Sequence, residues 1–287
     1  MVYPMQKPLV SVLMTAYNRE KYIREAIESV LISTFKNFEL IVVDDCSKDR
    51  TVEIAKEFES VDNRVRVYVN EKNLGDYPNR NKAAGYAKGK YIKYVDSDDM
   101  VYPNTLEVMV KAMENNPQAA LAISSRYDNL EPDKYNVLTP KEAYETHFYK
   151  RALLDCGPTG VIIKTDSFRS SGGFSGKRNV SDFELWLFLA ALNQVIEMPN
   201  KLVFWRIHPE QEIRLASEIY LEQSLLVYEK ALNSQNCPLT IQQREEILYL
   251  RKRSTFRGIL KYGIKTRKFL YMLKLFKINN LKLTDAF

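Results

Sequence analysis

The chain has 287 residues, 45% of them hydrophobic, and carries 42 Lys and Arg against 36 Asp and Glu. That length and apolar content supply a full core and exclude a disordered chain. Three widely separated cysteines, Cys46, Cys156 and Cys237, show no CxxC spacing, which argues against a disulfide framework or a zinc site and fits a reducing cytoplasm.

Net charge is +6, but residues 251–287 hold eleven of the basic residues and only Asp285 among the acids, which leaves the rest of the chain slightly acidic. A nucleic-acid face spread over the fold is not expected; one local contact with something anionic is. Gln6, Lys7 and Pro8 interrupt any leader-like apolar run, and no stretch approaches the ~20 apolar residues that span a bilayer. A soluble or peripheral protein follows as the expectation.

In chain order, strands are expected at Leu9 to Met14, Phe38 to Val43, Val65 to Asn70, Tyr91 to Val95 and Ala119 to Ser124. Helical spacing separates them: Ile23, Ile27, Val30 and Leu31, then Val52, Ile54, Ala55 and Phe58, then Leu106, Val108, Met109 and Met113. Alternation of this kind predicts an α/β domain with a mostly parallel sheet. Asp49 offers an N-cap for the second helix, and Pro103 falls in the first turn of a later one. Breaks at Glu131-Pro132-Asp133 and Thr139-Pro140 precede a strand over Thr159 to Lys164 and a Gly172-Gly173 turn. Asp182 opens an apolar helix, Lys201 to Ile207 reads as a late strand, and from about Glu210 the chain reads as helix. The simplest partition is a catalytic domain over 1–210 and a basic helical extension over 211–287.

Two of these strands end in acids: Asp44-Asp45 after Leu40 to Val43, and Asp96-Ser97-Asp98-Asp99 after Tyr94-Val95. Ligands of open α/β sheets lie outside the carboxyl ends of the strands, and clustered carboxylates there call for a cation. Alternation puts Asp96 and Asp98 on one side. The first strand runs into Thr15-Ala16-Tyr17-Asn18-Arg19 without glycine, so neither a dinucleotide fingerprint nor a P-loop is present. Phosphate would be neutralised by a divalent metal and basic side chains instead.

The run Val10 to Asn18, the segment Val43-Asp44-Asp45-Cys46-Ser47, the turn Asn73-Leu74-Gly75 and the acids Asp96-Ser97-Asp98-Asp99 together resemble, in order and spacing, the inverting family-two glycosyltransferases of GT-A fold. The resemblance covers roughly residues 8 to 210. Cys46 departs from the family's usual glycine, with little consequence expected. The resemblance implies that Thr15 and Tyr17 border the nucleoside, that Asp45 hydrogen-bonds the base edge and that Arg80 contacts the nucleotide. It further implies that Asp98 ligates Mg2+ or Mn2+ while Asp96 meets the ribose or reaches the metal through water. Asp99 either caps the next helix or backs these ligands.

Asp182, before the Leu185-Trp186 segment, stands where the family places its catalytic base, although Ser181 replaces the commoner Glu or Gly. A plain N-cap role for Asp182 or Ser181 is the bland alternative, and Glu184 is a weaker candidate base. Arg206 and His208 lie where relatives place groups near the diphosphate, with His208 a candidate metal ligand. Cys156 to Gly160 reads either as part of an acceptor site or as a turn. The implied activity is single-sugar transfer from a nucleotide diphosphate sugar, UDP-linked by expectation, to a glycan or lipid-linked acceptor. Cell-surface polysaccharide synthesis in the cytoplasm, or peripherally at the inner face of the plasma membrane, is the expected setting. Rival readings are a sugar nucleotidyltransferase and a non-catalytic nucleotide-sugar or glycan binding protein. In the tail, Phe269, Met272, Leu273 and Phe276 follow helical spacing beside a basic row of Arg257, Lys261, Lys265 and Lys268, which suits either anionic lipid or docking on the body.

Overall fold

The computed structural model describes residues 7–124, 130–131, 134–208 and 217–286. The expected break at Pro132-Asp133 and the domain boundary at 210/211 lie outside these residues. The first half alternates strand and helix: β1 (Val10–Ala16), α1 (Ile23–Leu31), β2 (Phe38–Asp44), α2 (Thr51–Val61), β3 (Val65–Val69), α3 (Asp76–Tyr86), β4 (Tyr91–Tyr94), β5 (Met100–Val101), α4 (Thr105–Asn115) and β6 (Ala119–Ser124). There follow β7 (Asn136–Leu138), α5 (Pro140–Glu145), β8 (Val161–Lys164), α6 (Thr165–Ser170), α7 (Ser181–Leu192), β9 (Gln194–Met198) and β10 (Val203–Phe204). Among the described residues α8 (Ser217–Leu232), α9 (Ile241–Thr266) and α10 (Phe269–Ile278) follow, and then a 3-10 turn at Leu283–Ala286.

Eight strands form one sheet in the order β3-β2-β1-β4-β8-β6-β9-β7. The first four in that order are mutually parallel, with β1, β2 and β4 almost wholly buried and β3 an exposed edge. β8, which lies outside the five alternating strands, inserts antiparallel between β4 and β6 in the otherwise mostly parallel sheet. β5 and β10 form a separate antiparallel ribbon, pairing Val203 with Val101 and Phe204 with Met100. The late strand is thus two residues long rather than the seven expected, because its partner offers no more backbone and Arg206 N turns away to Asp99 Oδ1, 3.1 Å off.

Each face of the sheet carries its own apolar layer. Ile23, Ile27 and Val30 of α1, Ile54 of α2 and Leu106, Met109 and Met113 of α4 cover one face. The other is covered by Ala83 and Ala84 of α3, Phe168 of α6 and Trp186 of α7, and this layer runs on without a break into Val227, Tyr228 and Leu232 of α8. The helical extension therefore shares a core with the sheet. α2 starts at Thr51 with Arg50, not the expected Asp49, at the N-cap position and no side-chain cap; Asp49 Oδ1 instead accepts from Thr51 N at 3.0 Å and Thr51 Oγ1 at 2.5 Å just ahead of the helix. Pro103 lies just ahead of α4 rather than inside its first turn.

Gly89 lets the α3–β4 loop press on β1. A Cβ there would sit 2.5 Å from Ser11 N and 2.8 Å from Val10 C, both backbone atoms that cannot swing aside. Ser11 Oγ accepts from Lys88 N at 3.0 Å and Gly89 N at 2.8 Å, and donates to Glu39 Oε1 at 2.6 Å. Gly89→Ala is therefore expected to destabilise the fold by about 1–3 kcal/mol through overpacking, read as a lower urea midpoint with an unchanged m-value.

Candidate active site

The parallel strands β2, β1 and β4 end side by side, and their carboxyl-end loops are stitched together before any ligand is considered. Asp45 N donates to Ala16 O at 2.8 Å and Val95 N to Leu13 O at 3.0 Å. Asn18 sits at φ 52°, its N donating to Ser47 Oγ and its Oδ1 accepting from Lys48 N, both at 2.8 Å. Cys46 also holds a left-handed φ of 68°. That conformation costs a non-glycine residue roughly 1–2 kcal/mol, so the departure from glycine has a physical consequence after all. Ser47 N and Oγ both donate to the Asp44 carboxylate and hold the turn. Burial raises the Asp44 carboxyl above the usual range, against the pull of these Ser47 hydrogen bonds.

Tyr17, 44% exposed, overlooks an open pocket of about 370 Å³ lined by Tyr17, Asn18, Arg19, Glu20, Tyr22 and Asp49. Thr15 is buried at the end of β1. Asp45, by contrast, is turned inward and only 3% exposed. Its Oδ1 accepts from Asn70 Nδ2 at 2.7 Å and Leu74 N at 2.8 Å, and its Oδ2 from Gly75 N at 2.9 Å. A carboxylate has about four acceptor directions, so this residue anchors the 70–75 loop and keeps little capacity for a base edge.

The acid run after β4 is held from three sides. Asp98 Oδ2 accepts from Arg19 Nε at 3.1 Å and lies 3.1 Å from His208 Nε2. Arg80, buried to 8% exposure, bridges Asp96 Oδ1 at 2.6 Å and Asp76 Oδ1 at 2.7 Å. Arg206 Nε donates to Asp98 O at 3.0 Å while its Nη2 pairs with Glu25. Its guanidinium also lies 5.3 Å from the Tyr22 ring centroid, and the same ring packs 4.6 Å from His208. Asp99 faces inward. Burial and then the charges of Asp96 and Asp98 push its carboxyl up to about 7.

Behind the run, Lys93 is wholly buried on β4, and its Nζ donates to Tyr94 O at 3.1 Å and to Thr159 O. Burial brings this ammonium down to about 8. Thr159 Oγ1 in turn accepts from Asp96 N at 3.0 Å and hydrogen-bonds Asp99. Within the Cys156 to Gly160 segment, Pro158–Gly160 forms a short 3-10 turn behind the acids, and Cys156 O accepts from Trp186 Nε1 at 2.8 Å.

Asp182 lies in the first turn of α7 with its Oδ1 accepting from Phe183 N at 2.8 Å. Neither it nor Ser181 caps the helix: Val180 holds the N-cap position without a side-chain bond. The Tyr77 hydroxyl hydrogen-bonds the Asp182 carboxylate, and Arg80 is near enough to act on it. Burial raises Asp182 to about 6, with Tyr77, Phe183 N and Arg80 pulling the other way. Glu184 is different. Lys230 at 2.6 Å, Ser175 at 2.6 Å and Lys177 at 3.3 Å hold it as a structural ion pair, with its carboxyl below the usual range despite partial burial.

The folded chain therefore gathers Tyr17, Arg80, Asp96, Asp98, Arg206 and His208 with Arg19, and joins Asp182 to them through Tyr77 and Arg80. Arg19, Tyr77 and Lys93 have no local signature that assigns them a role. The sequence model of the family described as glycosyl transferase family 2 matches residues 11–172, more than half of the chain. The chain belongs to glycosyl transferase family 2.

Relatives within this family include an uncharacterized glycosyltransferase of Methanocaldococcus jannaschii, 40% identical over 164 residues, 53% of this chain and 55% of that protein. The match thus spans about half the length of the archaeal relative. The Escherichia coli UDP-Glc:alpha-D-GlcNAc-diphosphoundecaprenol beta-1,3-glucosyltransferase WfgD is 36% identical over 191 residues, 65% of this chain and 72% of its own. Among solved structures, Staphylococcus aureus TarS 1-349 in complex with UDP-GlcNAc has a TM-score of 0.68 at 21% identity, covering 86% of this chain and 72% of that one. The mannosyltransferase PcManGT from Pyrobaculum calidifontis, in complex with GDP-Man and Mn2+, gives 0.68 at 15% identity, covering 96% and 87%. These likenesses establish the GT-A fold for this family-2 chain, a mostly parallel sheet flanked by helices with a helical C-terminal region.

Proposed function

We propose that the chain is a metal-dependent, inverting glycosyltransferase that moves one sugar from a UDP-sugar to an acceptor hydroxyl of a growing glycan, lipid-linked as in the name of the WfgD relative. The observation that carries this reading is the convergence of Asp98, His208 and Arg19 at the strand ends, connected through Arg80 and Tyr77 to a partly buried carboxylate on α7. Thr15 and Tyr17 are the proposed nucleoside border, and Asp96 with Arg80 the ribose and phosphate side. Arg206 acts here by fixing the acid run, and Asp45 by fixing the loop beside the base, with its remaining acceptor direction open to a base N–H.

Among the described residues no group of three or more His, Cys, Asp or Glu is arranged to hold an ion by itself. Asp98 Oδ2 and His208 Nε2 do fit two positions of a shared Mg2+ or Mn2+, since they are 3.1 Å apart and neighbouring ligands on bonds of about 2.1 Å are separated by roughly 3 Å. Such hard cations take few protein carboxylates and complete their shell with phosphate oxygens and water. When bound, the cation would offset charge developing on the leaving diphosphate.

The remaining work falls to side chains of this chain. Arg19 borders both the open pocket and Asp98, and supplies positive charge beside the leaving group. Asp182 takes the acceptor's proton. A carboxylate titrating at about 6 is a stronger base than an ordinary surface acid while remaining ionised at neutral pH. Thermal-shift measurements with UDP and GDP, with and without Mn2+, test the donor half. UDP with Mn2+ at about 100 times Kd is expected to raise the melting temperature by about 5–10 °C. Asp98→Ala is expected to abolish the Mn2+-dependent part; an equal shift in that variant overturns the cation assignment.

A further inference from the structure

The geometry points to the tip of the α9–α10 hairpin as a docking surface for an anionic lipid bilayer. α9 ends at Thr266, Arg267 turns the corner at a left-handed φ of 58°, and α10 starts at Phe269. The two helices meet closely because Gly263 faces Met272: a Cβ on Gly263 would come within 2.9 Å of Met272 Cβ. Phe256 and Phe276 pack with ring centroids 4.7 Å apart, and Leu275 is fully buried. Those residues use up the inner face. The apolar stripe expected from spacing therefore splits: Met272 and Phe276 turn in, while Phe269 and Leu273 turn out.

What is left outside is concentrated at one end. Ile264 is 69% exposed, Phe269 55%, Leu270 85% and Leu273 60%. Lys261, Lys265, Arg267 and Lys277 are exposed around them, and no Asp or Glu occurs between Glu246 and Asp285. Two acids of α8 reach the hairpin, Glu218 pairing with Lys268 in the turn at 2.6 Å and Glu222 with Lys274 further along α10 at 3.5 Å, which leaves Lys261, Lys265, Arg267 and Lys277 as exposed cations. Large apolar side chains clustered within a ring of cations suit a surface that offers acyl chains beneath anionic headgroups. A second copy fits poorly, because a two-fold contact sets the same cations against each other. No helix among the described residues is long and apolar enough to cross a membrane, so the contact is interfacial.

This inference does not rest on the catalytic reading, and its test is separate from it. The full chain is mixed with phosphatidylcholine vesicles, with and without phosphatidylglycerol, and sedimented. Binding is expected to the phosphatidylglycerol vesicles and to weaken as salt rises. Leu270→Ser/Leu273→Ser and Lys265→Glu/Arg267→Glu are each expected to lower partitioning by about tenfold or more, with the melting temperature unchanged because these side chains are exposed. Equal binding to both vesicle types, no binding, or unchanged partitioning in the variants overturns the proposal. So does a dimer in size-exclusion chromatography that Leu270→Ser/Leu273→Ser dissociates while vesicle binding stays the same. A vesicle-bound protein with no UDP-dependent thermal shift would count against the catalytic reading alone.

Discussion

Asp182→Asn is expected to lower sugar transfer by about 10³-fold, the usual scale for loss of a positioned base, while UDP binding with Mn2+ keeps its wild-type thermal shift. The amide retains an oxygen for the Phe183 N–H and a contact for the Tyr77 hydroxyl, so the fold at the start of α7 is preserved. The pH profile sharpens the test. Only the ionised carboxylate accepts a proton, so wild-type kcat/KM is expected to fall on the acid side with a limb near 6, the pH to which burial raises Asp182. The Tyr77 hydroxyl favours the charged form. Tyr77→Phe removes that support, the carboxyl moves further up, and the limb shifts to higher pH. A limb that stays in place in Tyr77→Phe, or an Asp182→Asn enzyme with undiminished transfer, would remove Asp182 from the role of base.

Arg80→Met is expected to be the most damaging single change to the site's architecture. The guanidinium is nearly buried and bonded to two carboxylates, Asp76 and Asp96. Removing the guanidinium leaves two carboxylates, 40% and 26% exposed, without their partner, a loss of about 1–3 kcal/mol once solvent screening is allowed for. Urea unfolding would register it as a lower midpoint, and titration calorimetry as weakened UDP binding. Adding Asp96→Asn removes part of the orphaned charge, so the double variant is expected to be more stable than the sum of the two singles predicts. Strict additivity would mean that Arg80 and Asp96 are not coupled in solution.

The parts of this site that a sequence reader sees are those with a local signature. Asp44-Asp45 and Asp96 to Asp99 follow apolar strands directly, and strand alternation alone places their carboxylates at the sheet's mouth. What escaped notice depends on contacts across long stretches of chain. The resemblance flags Arg206 and His208, but their contacts with Asp98 come through a ribbon of only two residue pairs, too short to leave a periodic pattern. Lys93 looks like a solvent-facing strand residue, yet it is wholly buried because Thr159 and Tyr94 offer carbonyls. Asp45 reads as an open acceptor, and only the folded 70–75 loop reveals where its lone pairs go. The antiparallel β8 was equally hidden, since a four-residue apolar run is silent about direction.

The β5–β10 ribbon also dictates an order of assembly. The acid run is completed from far along the chain, since Arg206 and His208 emerge from the ribosome more than a hundred positions after Asp98. Arg19 and Arg80 already face Asp98 and Asp96 in the nascent sheet β1–β4, whereas Asp99 Oδ1 and the Asp98 carbonyl meet their donors only when this late segment docks. Unfolding run in reverse would begin there, with the ribbon peeling away while the parallel strands persist, so amide exchange at Arg206 should outpace that at Val42 or Leu13.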